Sequence, residues 1–149
     1  MRVQVSGNGS IAQLAAVARD FHERQNLRSP RKLADLIHED AEVSDIGRRL
    51  HGRDEIVEVL EEERQAFVYM GNVDRYELLD ESTLLVSGRA RVAVAGGYLD
   101  WRVFWLDVFR DGLLWRVSAF PSPEEAGAAD DVGQTAASSR DGGRGPDSA

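Results

Sequence analysis

The order of elements predicts an α+β protein: three helical segments and a short strand pair, followed by a curved antiparallel meander. Two observations carry most of this. Leu84 to Phe120 falls into three alternating stretches separated by Gly96-Gly97 and Asp111-Gly112, dipeptides that tolerate the positive φ of two-residue hairpins. Ahead of them, apolar residues recur at helical spacing from Ile11 and again from Ile56.

Residues 1–9 are polar and glycine-rich and are expected to be loose. Ser10 and Gln13 fit a capping box, and Ile11, Leu14, Ala15, Ala18 and Phe21 give the first helix a buried stripe from Ser10 to Gln25. Ser29-Pro30 starts a short second helix that buries Leu33, Leu36 and Ile37. Ala41 to Asp45 reads as a short strand, and Gly47 to Gly52 as a turn or hairpin. The third helix is expected from Arg53 to Met70, burying Ile56, Val59, Leu60 and Phe67, with Gly71-Asn72 as its stop. Val73 to Leu79 then returns as a strand into the meander. From 127 to 149 the chain is Gly, Ser, Asp and Ala with little apolar mass, so a disordered acidic tail is expected. Residues 10–126 form the single domain.

Composition narrows the function classes. The chain has 149 residues, formal charge −8 and no cysteine. That length is enough for one real core, and the lack of thiols removes disulfides and thiolate chemistry. The acidic balance argues against a nucleic-acid partner, and no apolar run is long enough for a membrane span. A cytoplasmic protein follows as the expectation. No cofactor or metal is expected, because no His and carboxylate spacing makes a convincing metal site and no phosphate loop appears.

Counting out from the two turns sets a register. Asp107 should oppose Arg116, Trp105 oppose Ser118 and Val103 oppose Phe120 in the second hairpin; Val92 should oppose Trp101 and Ala90 oppose Val103 in the first. Side chains alternate along a strand, so one face carries Val86, Gly88, Ala90, Val92, Leu99, Trp101, Val103, Trp105, Phe109, Leu114 and Phe120, with Asp107, Arg116 and Ser118 clustered among them. An apolar wall with a few convergent polar groups suits an apolar small molecule. The other face carries Phe104, Leu106, Val108, Trp115 and Val117, an apolar patch that needs covering, with Arg89, Arg91 and Arg102 at its far end.

The phrases LADLIHEDAEVSD…LHGRDEIVEVLEEE and VFRDGLLWRVSAFPSPEEA resemble the SnoaL-like branch of the nuclear transport factor 2-like superfamily, relatives of ketosteroid isomerases and polyketide cyclases. The resemblance covers Ile11 to Ala126. It implies a cone, in which a bent sheet wraps the first helix around a pocket, and dimerisation through the outer sheet face. It also implies that Asp45, at the end of the short strand, stands where the isomerases keep their base. A carboxylate at the rim of an apolar cavity suits general-base work, although a turn Asp held by local backbone N–H groups is the plainer reading.

Asp107 and Arg116 make the second candidate site. They form either a cross-strand ion pair that locks register or the polar end of the pocket, with Arg116 holding a ligand carbonyl or carboxylate and Asp107 orienting Arg116 or acting as the acid. Phe21 is added to the pocket wall from the first helix. The resemblance also has departures. The isomerases' hydrogen-bonding Tyr falls on Phe21, which has no hydroxyl. The Arg-x-Asp of related epoxide hydrolases meets Arg89-Ala90-Arg91, and no acidic residue follows the last strand. His22, His38 and His51 are read as structural or solvated ahead of catalytic. The expected function is a SnoaL-like enzyme moving a proton on a ketone-like or polyketide-like substrate, with a non-catalytic ligand-binding or dimerisation module as the alternative.

Overall fold

The structure, a computed structural model, describes residues 9–24, 31–45, 47–66 and 69–129. Helix α1 (Gly9–His22) is followed by a single 3-10 turn (Leu33–Leu36), strand β1 (Ile37–Asp45), strand β2 (Arg48–His51), helix α2 (Arg53–Gln65) and strands β3 (Tyr69–Asp80), β4 (Thr83–Val94), β5 (Gly97–Arg110) and β6 (Leu113–Phe120). Residues 123–129 are helical. The Ser10 side chain, the Ser29-Pro30 start, Phe67 and the tail beyond 129 lie outside what is described.

The strands form one curved, unclosed sheet in the order β2-β1-β6-β5-β4-β3. All its pairings are antiparallel except β1 with β6, which is parallel, so the sheet is mixed. The core is a single cluster. It joins Ala15, Val17, Ala18 and Phe21 of α1 and Ile56 and Leu60 of α2 to the concave side of the strands, including Val86, Val103, Trp105, Phe109 and Leu114. This is the α+β class that the element order predicted, in the cone that the resemblance implied.

Three boundaries differ from expectation. The second helix shrinks to one 3-10 turn, which already buries Leu33 and Leu36, and Ile37 is buried as the first residue of β1. Helix α2 stops at Gln65, its end closed by an Ala66 N–H donating to the Glu62 carbonyl at 3.1 Å. Gly71-Asn72, read as a helix stop, sits inside β3. Its glycine is required by a close approach: a Cβ built on Gly71 would lie 2.2 Å from the carbonyl oxygen of His22. The last turn of α1 therefore rests on β3 backbone to backbone. A hydrogen bond from the Val73 N–H to Glu23 Oε2, 2.8 Å long, ties the two together.

The hairpins decide which residues face inward. The first turn is centred on Ala95-Gly96, one residue earlier than expected, with Gly96 at φ 87°. Partners move by two residues, so Val92 opposes Leu99 and Ala90 opposes Trp101. Because the side-chain period is also two, every residue keeps its face. The second hairpin turns at Asp111-Gly112 as expected, both at positive φ. Its register holds for Arg110↔Leu113 and Phe109↔Leu114, then slips by one residue at a β-bulge. Beyond the bulge Val108 opposes Arg116, Asp107 opposes Val117 and Trp105 opposes Ala119. That slip turns Val117 into the core and Arg116 out of it. The bulge spares the protein a guanidinium in its apolar interior.

Candidate functional site

An apolar pocket of about 250 Å³ opens on the concave side, lined by Asp45, Tyr69, Ala90, Trp101, Val103, Trp105, Ala119, Phe120 and Pro121. Among the described residues Asp45 is its one carboxylate. It lies at the last position of β1, where the strand turns over into β2 and its side chain is free of the ladder. Arg48, three residues on, donates from Nε to Asp45 Oδ1 at 2.7 Å. The same guanidinium grips Glu63 of α2 with two bonds, Nη1 to Oε2 at 2.7 Å and Nη2 to Oε1 at 3.1 Å. Those bonds, foremost the pair to Glu63, raise the Arg48 pKa above the ordinary arginine value. With Oδ1 held in this way, Oδ2 takes no hydrogen bond among the described residues.

Arg24 completes this end of the site. It is 8% exposed, lies 4.1 Å over the Tyr69 ring, and has Nη2 3.7 Å from Glu63 Oε1. Burial lowers its pKa from the usual arginine value, and its Nε and Nη2 make no hydrogen bond. Burial also pushes the Tyr69 phenol up to about 12.

Asp107 is inward-facing, as the pattern of β5 required, but its partner is not Arg116. The His22 Nε2 lies 2.7 Å from Asp107 Oδ2, with side-chain exposures of 1% and 0%. The His22 ring stacks on Trp105 at 4.1 Å between centroids and meets Phe21 edge-on at 5.1 Å. Asp107 Oδ1 is buried without a partner. The pair is thus dry and sits behind Trp105, whose indole forms the pocket wall. Sequence reasoning read His22 as structural or solvated ahead of catalytic. The signal that it belongs inside is its position one residue after Phe21, at the end of α1, above the glycine of β3.

Arg116 is corrected outright: it is exposed on the convex face, its guanidinium carbon 4.4 Å from the Trp115 ring centroid. The sequence did contain a clue, since Leu114 and Val117 are apolar at an odd spacing, which a regular strand cannot bury on one face. Ser118 follows Arg116 onto the other face, opposite Leu106. Of the expected pocket wall, Ala90, Trp101, Val103, Trp105 and Phe120 line the pocket, whereas Phe21, Val86, Phe109 and Leu114 fill the core and Val92 packs against it. Tyr69, Ala119 and Pro121 were missed.

The convex face is less bare than expected. Leu106 is buried and Val117 has joined the core. Arg110 and Arg116 bracket Trp115, and Arg102 lies over Phe104. Arg89 and Arg91 share Asp100, while Arg102 pairs with Asp74 at 2.6 Å. His38 accepts a hydrogen bond from the Asp40 N–H at its Nδ1, and His51 is exposed. Among the described residues no group of three potential ligands could hold a metal, and no helix is long and apolar enough to cross a membrane.

Set beside solved structures, the chain superposes on an NTF2-like protein from Anabaena variabilis with TM-score 0.62 and 14% identity, over 82% of this chain and 96% of that one. It superposes on a candidate polyketide cyclase from Sinorhizobium meliloti with TM-score 0.57 and 18% identity, over 74% and 98%. The fold is nuclear transport factor 2-like. TerC co-crystallized with polyporic acid shares this fold at TM-score 0.55 and 16% identity, over 77% of this chain and 92% of that one. No protein-family model and no curated protein matches the chain. At these identities the nuclear transport factor 2-like fold is common ground and the chemistry is not, because the fold hosts sites of many kinds.

Proposed function

We propose that the protein is a small-molecule enzyme of the isomerase or cyclase type, moving a proton on an apolar ketone-like or polyketide-like substrate with Asp45 as the base. One observation carries it: among the described residues, the only carboxylate in the wall of an apolar pocket has one oxygen fixed by Arg48 and the other without a hydrogen-bond partner. A fixed carboxylate with a free lone pair, facing an apolar body, is what abstraction of a proton next to a carbonyl requires. The fold neighbours named as candidate polyketide cyclases agree with this class. Asp107 acts here through His22, holding the Trp105 wall in place, and Arg116 has no part.

The reaction class is testable before the substrate is known. Apolar cyclic ketones are incubated with the protein in D2O, and loss of the α-proton signal is followed by NMR. Exchange that falls by about a hundredfold or more in Asp45→Asn, with circular dichroism unchanged, is the expected outcome. Exchange equal in the two proteins overturns the assignment. A second reading, a non-catalytic binding module, is favoured by the pocket's modest size, since small-molecule clefts usually start at about 300 Å³. Ligand binding without exchange in the wild-type protein selects it.

A further inference from the structure

The pocket is not the whole of the hollow around Asp45. A second, open recess of about 340 Å³ is lined by Ser44, Asp45, Gly47, Arg48, Arg49 and Ala119. It shares Asp45 and Ala119 with the apolar pocket, so the two spaces meet across those side chains. Their chemistry differs sharply. The pocket wall is aromatic and aliphatic apart from Asp45, whereas the recess is a shelf lined by Ser44 and Asp45 at the end of β1, by Gly47, by Arg48 and Arg49 at the start of β2, and by Ala119.

The charges on that shelf are not equally occupied. Arg48 spends all three nitrogens, one on Asp45 and two on Glu63. With Arg24 beside Glu63, those four groups balance in charge. Arg49 stands apart. Its side chain is 73% exposed, and its nearest carboxylate, Glu42, lies 3.5 Å from Nε with no hydrogen bond between them. It can turn toward a new anion at little cost.

We propose, resting on the ligand-pocket reading above, that the ligand is amphipathic: an apolar ring body fills the pocket, and an anionic group, carboxylate or sulfonate in kind, lies on the shelf against Arg49. The size of the pocket supports this. A space of about 250 Å³ buries only part of a ligand of ordinary size, and what protrudes past Ala119 arrives on the shelf. The negative charge of Asp45 is offset at close range by Arg48, bonded to its Oδ1 at 2.7 Å.

Two probes with the same aromatic body separate the possibilities. Anilinonaphthalene sulfonate carries the anion, and N-phenylnaphthylamine lacks it. Both are titrated into the full chain at low ionic strength and followed by probe fluorescence. The sulfonate is expected to bind at least about fivefold more tightly than its neutral twin, and Arg49→Gln to remove that difference while leaving the neutral probe's affinity unchanged. Ala119→Trp should block both probes. Energy transfer from Trp101 to the bound probe, reduced in Trp101→Phe, provides a second location marker if Ala119→Trp folds poorly. Equal affinity for the two probes in the wild-type chain, or equal weakening of both by Arg49→Gln, overturns the amphipathic ligand and leaves the pocket standing. Failure of both probes to bind, or binding without transfer from Trp101, overturns the pocket reading itself.

Discussion

Removing His22 should be the most damaging single truncation in the described chain. In His22→Ala the Asp107 carboxylate loses its 2.7 Å partner. Its other oxygen has none to begin with, and the residue is 0% exposed. Breaking a buried pair of this kind costs about 3–5 kcal/mol, most of it the desolvation of the group left behind. The lost stacking on Trp105 adds about 1 kcal/mol. Even the lower end of that sum, about 4 kcal/mol, is a large part of the 5–15 kcal/mol typical of a domain, so the variant should fold but only just. For a chain of this length each kcal/mol lowers Tm by about 2–4 °C, which gives a drop of about 8–16 °C. In urea, with a slope of about 2 kcal/mol per M, the midpoint should move by about 2 M. Thermal and urea unfolding followed by far-UV circular dichroism measure both. The double variant His22→Phe with Asp107→Leu should recover much of the loss, because an apolar pair of similar volume needs no partner. A cost below about 1 kcal/mol for His22→Ala would show that water reaches Asp107 and that the dry pair does not exist.

Other outcomes follow from the same geometry. Gly71→Ala drives a methyl group into the His22 carbonyl and should cost about 2–3 kcal/mol in urea unfolding; an unchanged midpoint would refute the backbone contact. Arg48→Met leaves Asp45 and Glu63 without their shared cation and should cost about 2 kcal/mol, as well as slowing the α-proton exchange assigned to Asp45; wild-type stability and exchange together would disprove the clamp. Tyr69, with its phenol pushed up to about 12 by burial, keeps a proton that the unfolded chain loses near pH ~10. The unfolded state therefore binds fewer protons between those values, so stability is full below about pH 10 and is lost as pH rises toward 12. Tyr69→Phe should flatten that slope in unfolding measured across the window, and an identical slope in the variant would contradict it. Self-association through the convex face, centred on Phe104, Val108 and Trp115, predicts a dimer in sedimentation velocity that Trp115→Glu converts to monomer; a monomeric wild-type chain removes this surface.

Much of the site was written in the sequence. The helical spacing of Ile11 to Phe21, the alternation of β4 and β5 and the two glycine-bearing turns determine the fold class, the concave wall and the inward aim of Trp105 and Asp107. These are local properties, fixed by side-chain period and by which residues tolerate positive φ. Asp45 was singled out by the resemblance, which puts the isomerases' base at the end of that short strand. The tertiary structure alone decided which groups meet. Whether Asp107 faces Arg116 or His22 turned on a single bulge after Phe109 and on the height at which α1 crosses β3. Neither is a local preference, since both minimise the charge left in the core once helix and sheet pack together. The clamp of Arg48 between Asp45 and Glu63 joins residues from β1, β2 and α2, and only the packed fold brings those three elements together.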